Sequence, residues 1–178
     1  MEFNTVIQAR RSIRKYHNKE VNHSLIEEMI QSAIMAPSWK NSQTARYHVV
    51  TKDEILARIK DDCLPTFNAE NVKNAPVLIV TSFIRDCSGY EKTGQPSNEL
   101  GNYWGCYDLG LHNQNLILKA TELGLGTLII GIRDEERLRK LLNIPTAEII
   151  ISVIAVGYPD IFPKAPKRFQ VSDITKFY

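Results

Sequence analysis

The sequence is poor in cysteine and has no long apolar run, and each absence excludes a class of protein. Its 178 residues include three cysteines, Cys63, Cys87 and Cys106, with no C-x-x-C pair. An odd number of distant cysteines supports neither a disulfide framework nor a zinc site. No apolar stretch reaches about 18 residues, so no membrane-spanning helix is expected. The N-terminus places an acidic residue before a short mixed stretch, whereas a secretory leader places basic residues before a longer apolar run, so we expect a cytoplasmic protein.

Charge of one sign is also scarce. The chain has 22 Lys and Arg against 20 Asp and Glu, a formal net charge of +2. So small a surplus does not favour nucleic-acid binding over the whole surface, and any basic site must be local. No internal repeat, low-complexity tract or long linker divides the chain. We therefore expect residues 1–178 to form a single domain.

The common catalytic signatures are missing. GLGTLIIG, at 124–131, lacks the third glycine of a dinucleotide-binding G-x-G-x-x-G motif and the lysine of a P-loop. The sequence has no G-x-S-x-G or H-E-x-x-H motif, and its four histidines have no metal-ligand spacing. We expect no metal ion and assign no catalytic side chain.

Apolar periodicity predicts short helices and strands in irregular alternation. The predicted helices are 3–10, 24–35, 51–60, 104–123 and 134–142. The predicted strands are 47–51, 77–83, 127–130 and 149–158. Because helices precede the first strand and the tail is extended, the pattern favours an α+β fold, with a central sheet flanked by helices, over a regular βαβ array.

Local signals refine these bounds. Ser24 with Glu27, and Thr51 with Glu54, have the S/T-x-x-E spacing of a capping box, which predicts a helix start at each pair. The polar stretch 85–101 has the length of a functional surface loop, and we expect it to border a pocket.

The basic segment ARRSIRKY, at 9–16, is the first candidate site. Arg10 and Arg14 share one side of the chain in a helix or a strand, but Ser12 joins them only if the segment is extended. Two guanidinium groups and a hydroxyl suit a phosphate dianion. The alternative is a solvated basic patch, which is the commoner use of short basic clusters.

The amide-rich segment APSWKNSQ, at 36–43, is the second candidate. In an extended loop Asn41 and Gln43 could both face the polar edge of a planar heterocycle, and Ser38 could add a third contact. The alternative is a simple turn after a helix. Trp39 could stack on an aromatic ligand or cover apolar surface.

Together these segments resemble the FMN-dependent nitroreductase family. ARRSIRKY, APSWKNSQ, the helix DLGLHNQNLILKATELGLGT and the tail KAPKRF occur in that family's order, and the resemblance covers most of the chain. It implies a nitroreductase-like α+β fold with a mixed or antiparallel sheet, and a homodimer whose two subunits share each flavin site.

The resemblance also implies which residues bind FMN. These are Arg10, Arg11, Ser12, Arg14, Pro37, Ser38, Trp39, Asn41, Gln43, Ile129, Ile130, Gly131, Lys167 and Arg168. The N-terminal group would hold the phosphate and the pyrimidine end of the ring, with Arg14 facing N1 and O2. Residues 37–43 would come from the neighbouring subunit, and 129–131 would present backbone amides near N5. Lys167 and Arg168 would complete the phosphate clamp.

Other positions around the ring have several candidates. The resemblance implies that a residue in the sequence between the first two strands contacts the flavin ring, and Lys60 and Asn68 are the candidates. Tyr90, Tyr103 and Trp104 are candidates for covering the open face of the flavin, with ordinary packing as the alternative.

The implied activity is reduction of a small acceptor, such as a nitroaromatic or a quinone, by NADH or NADPH in a ping-pong reaction. Other flavin chemistry in the same fold, either reductive dehalogenation or flavin breakdown, is one alternative. A non-enzymatic module that binds an anion or nucleic acid is the other, although the implied partners include neither nucleic acid nor membrane.

Overall fold

A four-stranded antiparallel sheet forms the centre of the computed structural model, which describes residues 2–178. Its strands are β1 (Ala45–Val50), β2 (Val77–Ile84), β3 (Gly126–Ile130) and β4 (Glu148–Gly157). Their order across the sheet is β1-β2-β4-β3, and every neighbouring pair is antiparallel. Strand β3 therefore lies at one edge.

Helices cover both faces of this sheet. They are α1 (Phe3–Ala9), α2 (His23–Ala33), α3 (Asp53–Arg58), α4 (Thr66–Asn71), α5 (Tyr103–Glu122), α6 (Glu135–Leu142) and α7 (Val171–Ile174). One face packs against α3 and α6, and the other against α2 and α5. The α+β prediction is thus confirmed. None of the helices within residues 2–178 combines the length and apolar character that crossing a membrane requires.

Both predicted capping boxes are wrong. Helix α2 begins one residue before Ser24, and its cap is Asn22, whose side chain accepts a hydrogen bond from the Ser24 backbone N–H at 3.0 Å. Asparagine is as good a cap as serine, and it comes earlier in the chain. Helix α3 is preceded by Lys52 and has no side-chain cap. Helix α4 and the one-turn helix α7 in the tail were not predicted.

The basic segment is extended and runs along the free edge of β3. The Ile13 backbone N–H donates to the Thr127 carbonyl at 2.9 Å, and Ser12 forms a parallel bridge with Thr127. The Ile13 side chain is buried against Gly126, where a Cβ would come within 2.6 Å of it. This anchor fixes the residues on either side of Ile13 at the sheet edge.

Candidate functional site

An open cleft of about 780 Å³ lies beside the free edge of β3. We call it the basic cleft. Its lining residues are Ile7, Gln8, Arg10, Arg11, Ser12, Gln114, Ile117, Leu118, Ile129, Ala165, Pro166 and Arg168. Arginines line part of the cleft and apolar side chains line much of the rest. Such a surface suits a ligand with an anionic group and a planar apolar body.

The arginines of the basic cleft form a cluster of like charge. Partial burial, and then the charges of Arg168 and Arg11, lower the pKa of Arg10 below the usual arginine value. Arginine nevertheless stays protonated, so the three guanidinium groups repel one another. An anion between them would relieve this repulsion and accept charge-assisted hydrogen bonds.

Arg11 also has an unsatisfied donor. Its Nη1 donates to the carbonyl oxygens of Gln8 at 2.6 Å and Arg10 at 2.8 Å, which holds the C-terminal end of α1. Its Nε is buried and has no hydrogen-bond partner within residues 2–178. A buried N–H without an acceptor is costly, and a phosphate oxygen in the cleft would supply one.

Two of the implied FMN ligands, Arg14 for the ring and Lys167 for the phosphate, lie outside the basic cleft. Arg14 is exposed, and its Nη1 only approaches the Ser12 carbonyl at 3.4 Å. Lys167 is exposed as well and does not line the cleft, whereas its neighbour Arg168 does. The structure therefore brings Arg10, Arg11 and Arg168 together with Ser12.

Strand β3 contributes its outer edge to the basic cleft. Ile129 is 48% exposed and lines the cleft, but the Ile130 side chain is 2% exposed and lies in the core. Because peptide groups alternate along a strand, the peptide group of Ile129 faces the same free edge as that of Thr127. By the same alternation, the backbone N–H and C=O groups of Ile130 face β4. Gly131 follows the strand and is exposed.

The two candidates for a ring contact lie in different places. Asn68 is buried beside the turn that follows β3, where its Nδ2 donates to the Ile132 carbonyl at 3.4 Å. Lys60 donates from Nζ to the carbonyl oxygens of Lys73 at 2.8 Å and Ala75 at 3.2 Å, and burial lowers its pKa. It lines a separate cleft of about 700 Å³ that shares no lining residue with the basic cleft. Neither Lys60 nor Asn68 lines the basic cleft.

The amide-rich segment is a tight loop, which corresponds to the turn alternative and not to the extended loop in which Asn41 and Gln43 would share one face. We call residues 37–43 the amide loop. Lys40, Asn41 and Gln43 have φ angles of 45°, 55° and 49°, in the left-handed region that residues other than glycine seldom adopt. The Ser38 hydroxyl accepts a hydrogen bond from the Gln43 backbone N–H at 3.0 Å and closes the turn.

The amide loop does not reach the basic cleft of its own chain. Pro37, Ser38, Trp39, Asn41 and Gln43 are absent from the cleft lining. Asn41 and Gln43 are exposed, so their amides are available to another molecule. A site that joins the loop to the cleft would need two chains.

Trp39 packs instead against an aromatic cluster. Its ring centroid is 4.7 Å from that of Trp104, which also contacts Tyr107 edge-on at 5.7 Å. Tyr103 and Tyr107 are exposed, whereas the Tyr90 hydroxyl accepts a hydrogen bond from Asn102 Nδ2 at 3.2 Å within its own loop. Within one chain, Trp39 and Trp104 therefore pack against each other.

Several cleft residues were missed by the sequence analysis. Gln114, Ile117 and Leu118 lie on α5 at the i, i+3, i+4 spacing that places side chains on one helix face. That spacing was visible in the sequence, but the same pattern also describes a core stripe. Within residues 2–178 no group of histidine, cysteine, aspartate and glutamate side chains could hold a metal ion.

Comparison with known proteins gives consistent matches. The model of the nitroreductase family matches residues 7–77 and 64–158. A "Putative NADH dehydrogenase/NAD(P)H nitroreductase" of Methanothermobacter thermautotrophicus is 34% identical over 164 residues, which cover 89% of this chain and 78% of that protein.

Solved structures have the same fold. The "FMN-dependent Nitroreductase" of Clostridium difficile R20291 is 26% identical with a TM-score of 0.70, and the match covers 95% of this chain and 92% of that one. A "putative nitroreductase in complex with FMN" from Exiguobacterium sibiricum is 20% identical with a TM-score of 0.82, covering 100% and 98% of the two chains.

Proposed function

Because this chain belongs to the nitroreductase family, we propose that it is an NAD(P)H-dependent oxidoreductase that binds FMN in the basic cleft and is active as a homodimer. The observation that carries the proposal is the cluster of Arg10, Arg11 and Arg168, with a buried Arg11 N–H that has no acceptor within residues 2–178. A phosphate dianion satisfies both features. The relatives named for NAD(P)H and FMN support the donor and the cofactor.

The residues present fit a flavin mononucleotide. Arg10, Arg11, Ser12 and Arg168 would hold the phosphate, and the apolar side chains of α5 and β3 would contact the ring. When bound, FMN takes up electrons from NADH or NADPH and delivers them to an acceptor. The chain then needs to bind and orient the reactants, which agrees with the missing acid–base signatures. Arg14, at the exposed end of the segment, is proposed to stabilise negative charge on the ring.

The flavin content and turnover of the purified protein test this function. We expect a yellow protein whose visible absorption bleaches on addition of NADH or NADPH and returns on addition of a quinone. A ping-pong reaction gives parallel lines in double-reciprocal plots, because donor and acceptor would occupy the same open face in turn. A flavin-loaded protein that NADH and NADPH bleach but that turns over no quinone or nitroaromatic would instead favour reductive dehalogenation or flavin breakdown. A protein that binds no FMN would contradict the proposal.

Exposed apolar side chains on the single chain support the homodimer. Phe3, Ile34 and Met35 are 68%, 50% and 75% exposed, on or beside α1 and α2, and large apolar side chains grouped in this way mark interaction sites. The amide loop, which does not reach the basic cleft of its own chain, would meet the cleft of the partner. Each flavin site would then be built from two subunits.

Mixing two variants that each bind FMN weakly tests this arrangement. One variant carries Arg10→Ala in the basic cleft, and the other carries Asn41→Ala and Gln43→Ala in the amide loop. If the site is shared, refolding the two together creates one wild-type site in each mixed dimer, so FMN binding of wild-type affinity and turnover return at that site. Refolding each variant alone is the control. A monomer mass from light scattering, or the absence of any recovery, would refute the shared site.

A further inference from the structure

Three segments meet at the side chain of Asp108 in helix α5. Its Oδ2 accepts a hydrogen bond from the Trp39 backbone N–H of the amide loop at 2.9 Å, and another from the Ser88 hydroxyl in the loop after β2. Asp108 is 3% exposed, and Ser88 is buried as well. No basic side chain within residues 2–178 forms a salt bridge with Asp108.

Burying a carboxylate that accepts hydrogen bonds only from neutral donors costs free energy. The Asp108 side chain therefore needs both hydrogen bonds to be well formed. The Trp39 amide immediately precedes the left-handed residues Lys40 and Asn41. A fixed amide at this point sets where the strained part of the amide loop begins. The second contact ties the same oxygen to the loop after β2.

The same face of α5 also holds the ring of Trp39. Trp104 lies four residues before Asp108, one helical turn away, and its ring contacts the Trp39 ring. Trp39 is thus held by its ring and by its backbone amide. Two further contacts of the loop are weaker: the Lys40–Glu91 ion pair at 3.1 Å is exposed, and the hydrogen bond from the Ser42 hydroxyl to the Ser88 hydroxyl is long, at 3.4 Å.

From this geometry we infer that Asp108 is a positioning residue for cofactor binding. It holds the amide loop in the shape in which Asn41 and Gln43 meet the flavin of the partner subunit. This inference rests on the proposed function, since it assumes that the loop contributes to a flavin site. Asp108 itself is buried and does not line the basic cleft, so its role is to position the loop and not to contact the cofactor.

Three variants test the inference. Asp108→Ala removes the acceptor, and Asp108→Asn keeps an acceptor oxygen in the same place. Thr81→Val is the matched control, because it removes a buried hydrogen bond to Ser152, of 2.8 Å, between β2 and β4. The readouts are FMN affinity, thermal stability, and the exciton-coupled circular dichroism of the Trp39–Trp104 pair in the cofactor-free protein.

We expect Asp108→Ala to lose the exciton couplet and to bind FMN about tenfold more weakly, because a hydrogen bond to a charged group is lost. Asp108→Asn should restore both properties in large part. Thr81→Val should lower thermal stability while leaving the couplet and the FMN affinity unchanged. If Asp108→Ala does not fold, Ser88→Ala removes one of the two donors and should show a smaller change of the same sign.

An Asp108→Ala or Ser88→Ala protein that keeps the couplet, and whose FMN affinity changes no more than that of Thr81→Val, would overturn the inference. A wild-type protein that binds no FMN would refute the proposed function instead. In that case the couplet still decides whether Asp108 holds the amide loop.

Discussion

Replacing Arg10 by alanine is expected to weaken FMN binding by about 10- to 100-fold, the loss that accompanies removal of charge-assisted hydrogen bonds to a phosphate. The cofactor-free protein should not lose stability in the same proportion. Partial burial, and then the charges of Arg168 and Arg11, lower the pKa of Arg10. Removing Arg10 therefore also relieves the repulsion among these three guanidinium groups. Flavin titration and thermal unfolding, each with and without FMN, measure the two effects separately.

Lys15→Ala is the matched control for Arg10→Ala. It removes the same charge from the same segment, but Lys15 is exposed, pairs with Asp160 at 3.2 Å and does not line the basic cleft. We expect its FMN affinity to stay close to that of the wild type. Equal losses in both variants would mean that net charge, rather than the arginine cluster, attracts the cofactor.

The conformation of the basic segment could be predicted only in part from the sequence, because it depends on contacts with residues far away in the sequence. The residues alone showed that Ser12 joins Arg10 and Arg14 only in an extended chain. They could not show that the segment is extended, because that conformation depends on the hydrogen bond between Ile13 and Thr127, which are 114 residues apart in the sequence. The path of the tail, which brings Arg168 rather than Lys167 to the cleft, is likewise a tertiary property.

The conformation of the amide loop was harder still to predict from the sequence alone. Its composition predicted contacts to a polar ligand, and an extended conformation was the simplest way to align Asn41 with Gln43. The backbone is instead left-handed at Lys40, Asn41 and Gln43, and the preceding Trp39 contacts Asp108, 69 residues away, and packs on Trp104. Strands β2 and β4 were predictable because their long apolar runs need no distant partner to be recognised.

Replacing Gly105 by alanine is expected to lower the free energy of unfolding by about 3 kcal/mol, near the upper end of overpacking effects. Gly105 lies in α5 where the helix crosses β2, and a Cβ there would overlap the ring carbons Cδ2 and Cε2 of Phe83. The Phe83 ring is fully buried in the sheet and cannot move aside without disturbing its neighbours. Urea unfolding measures the loss.

Gly110→Ala makes the same chemical change in the same helix with the opposite expected sign. Gly110 is exposed, and a Cβ there meets no atom within 4 Å, so alanine should raise the free energy of unfolding by about 0.5–1 kcal/mol through helix propensity. Helix α5 also carries Trp104, Asp108 and Gln114, so its displacement in the Gly105→Ala protein should weaken FMN binding. The Gly110→Ala protein should bind FMN normally. Destabilisation of similar size in both variants would show that the contact between α5 and Phe83 does not set the position of the helix.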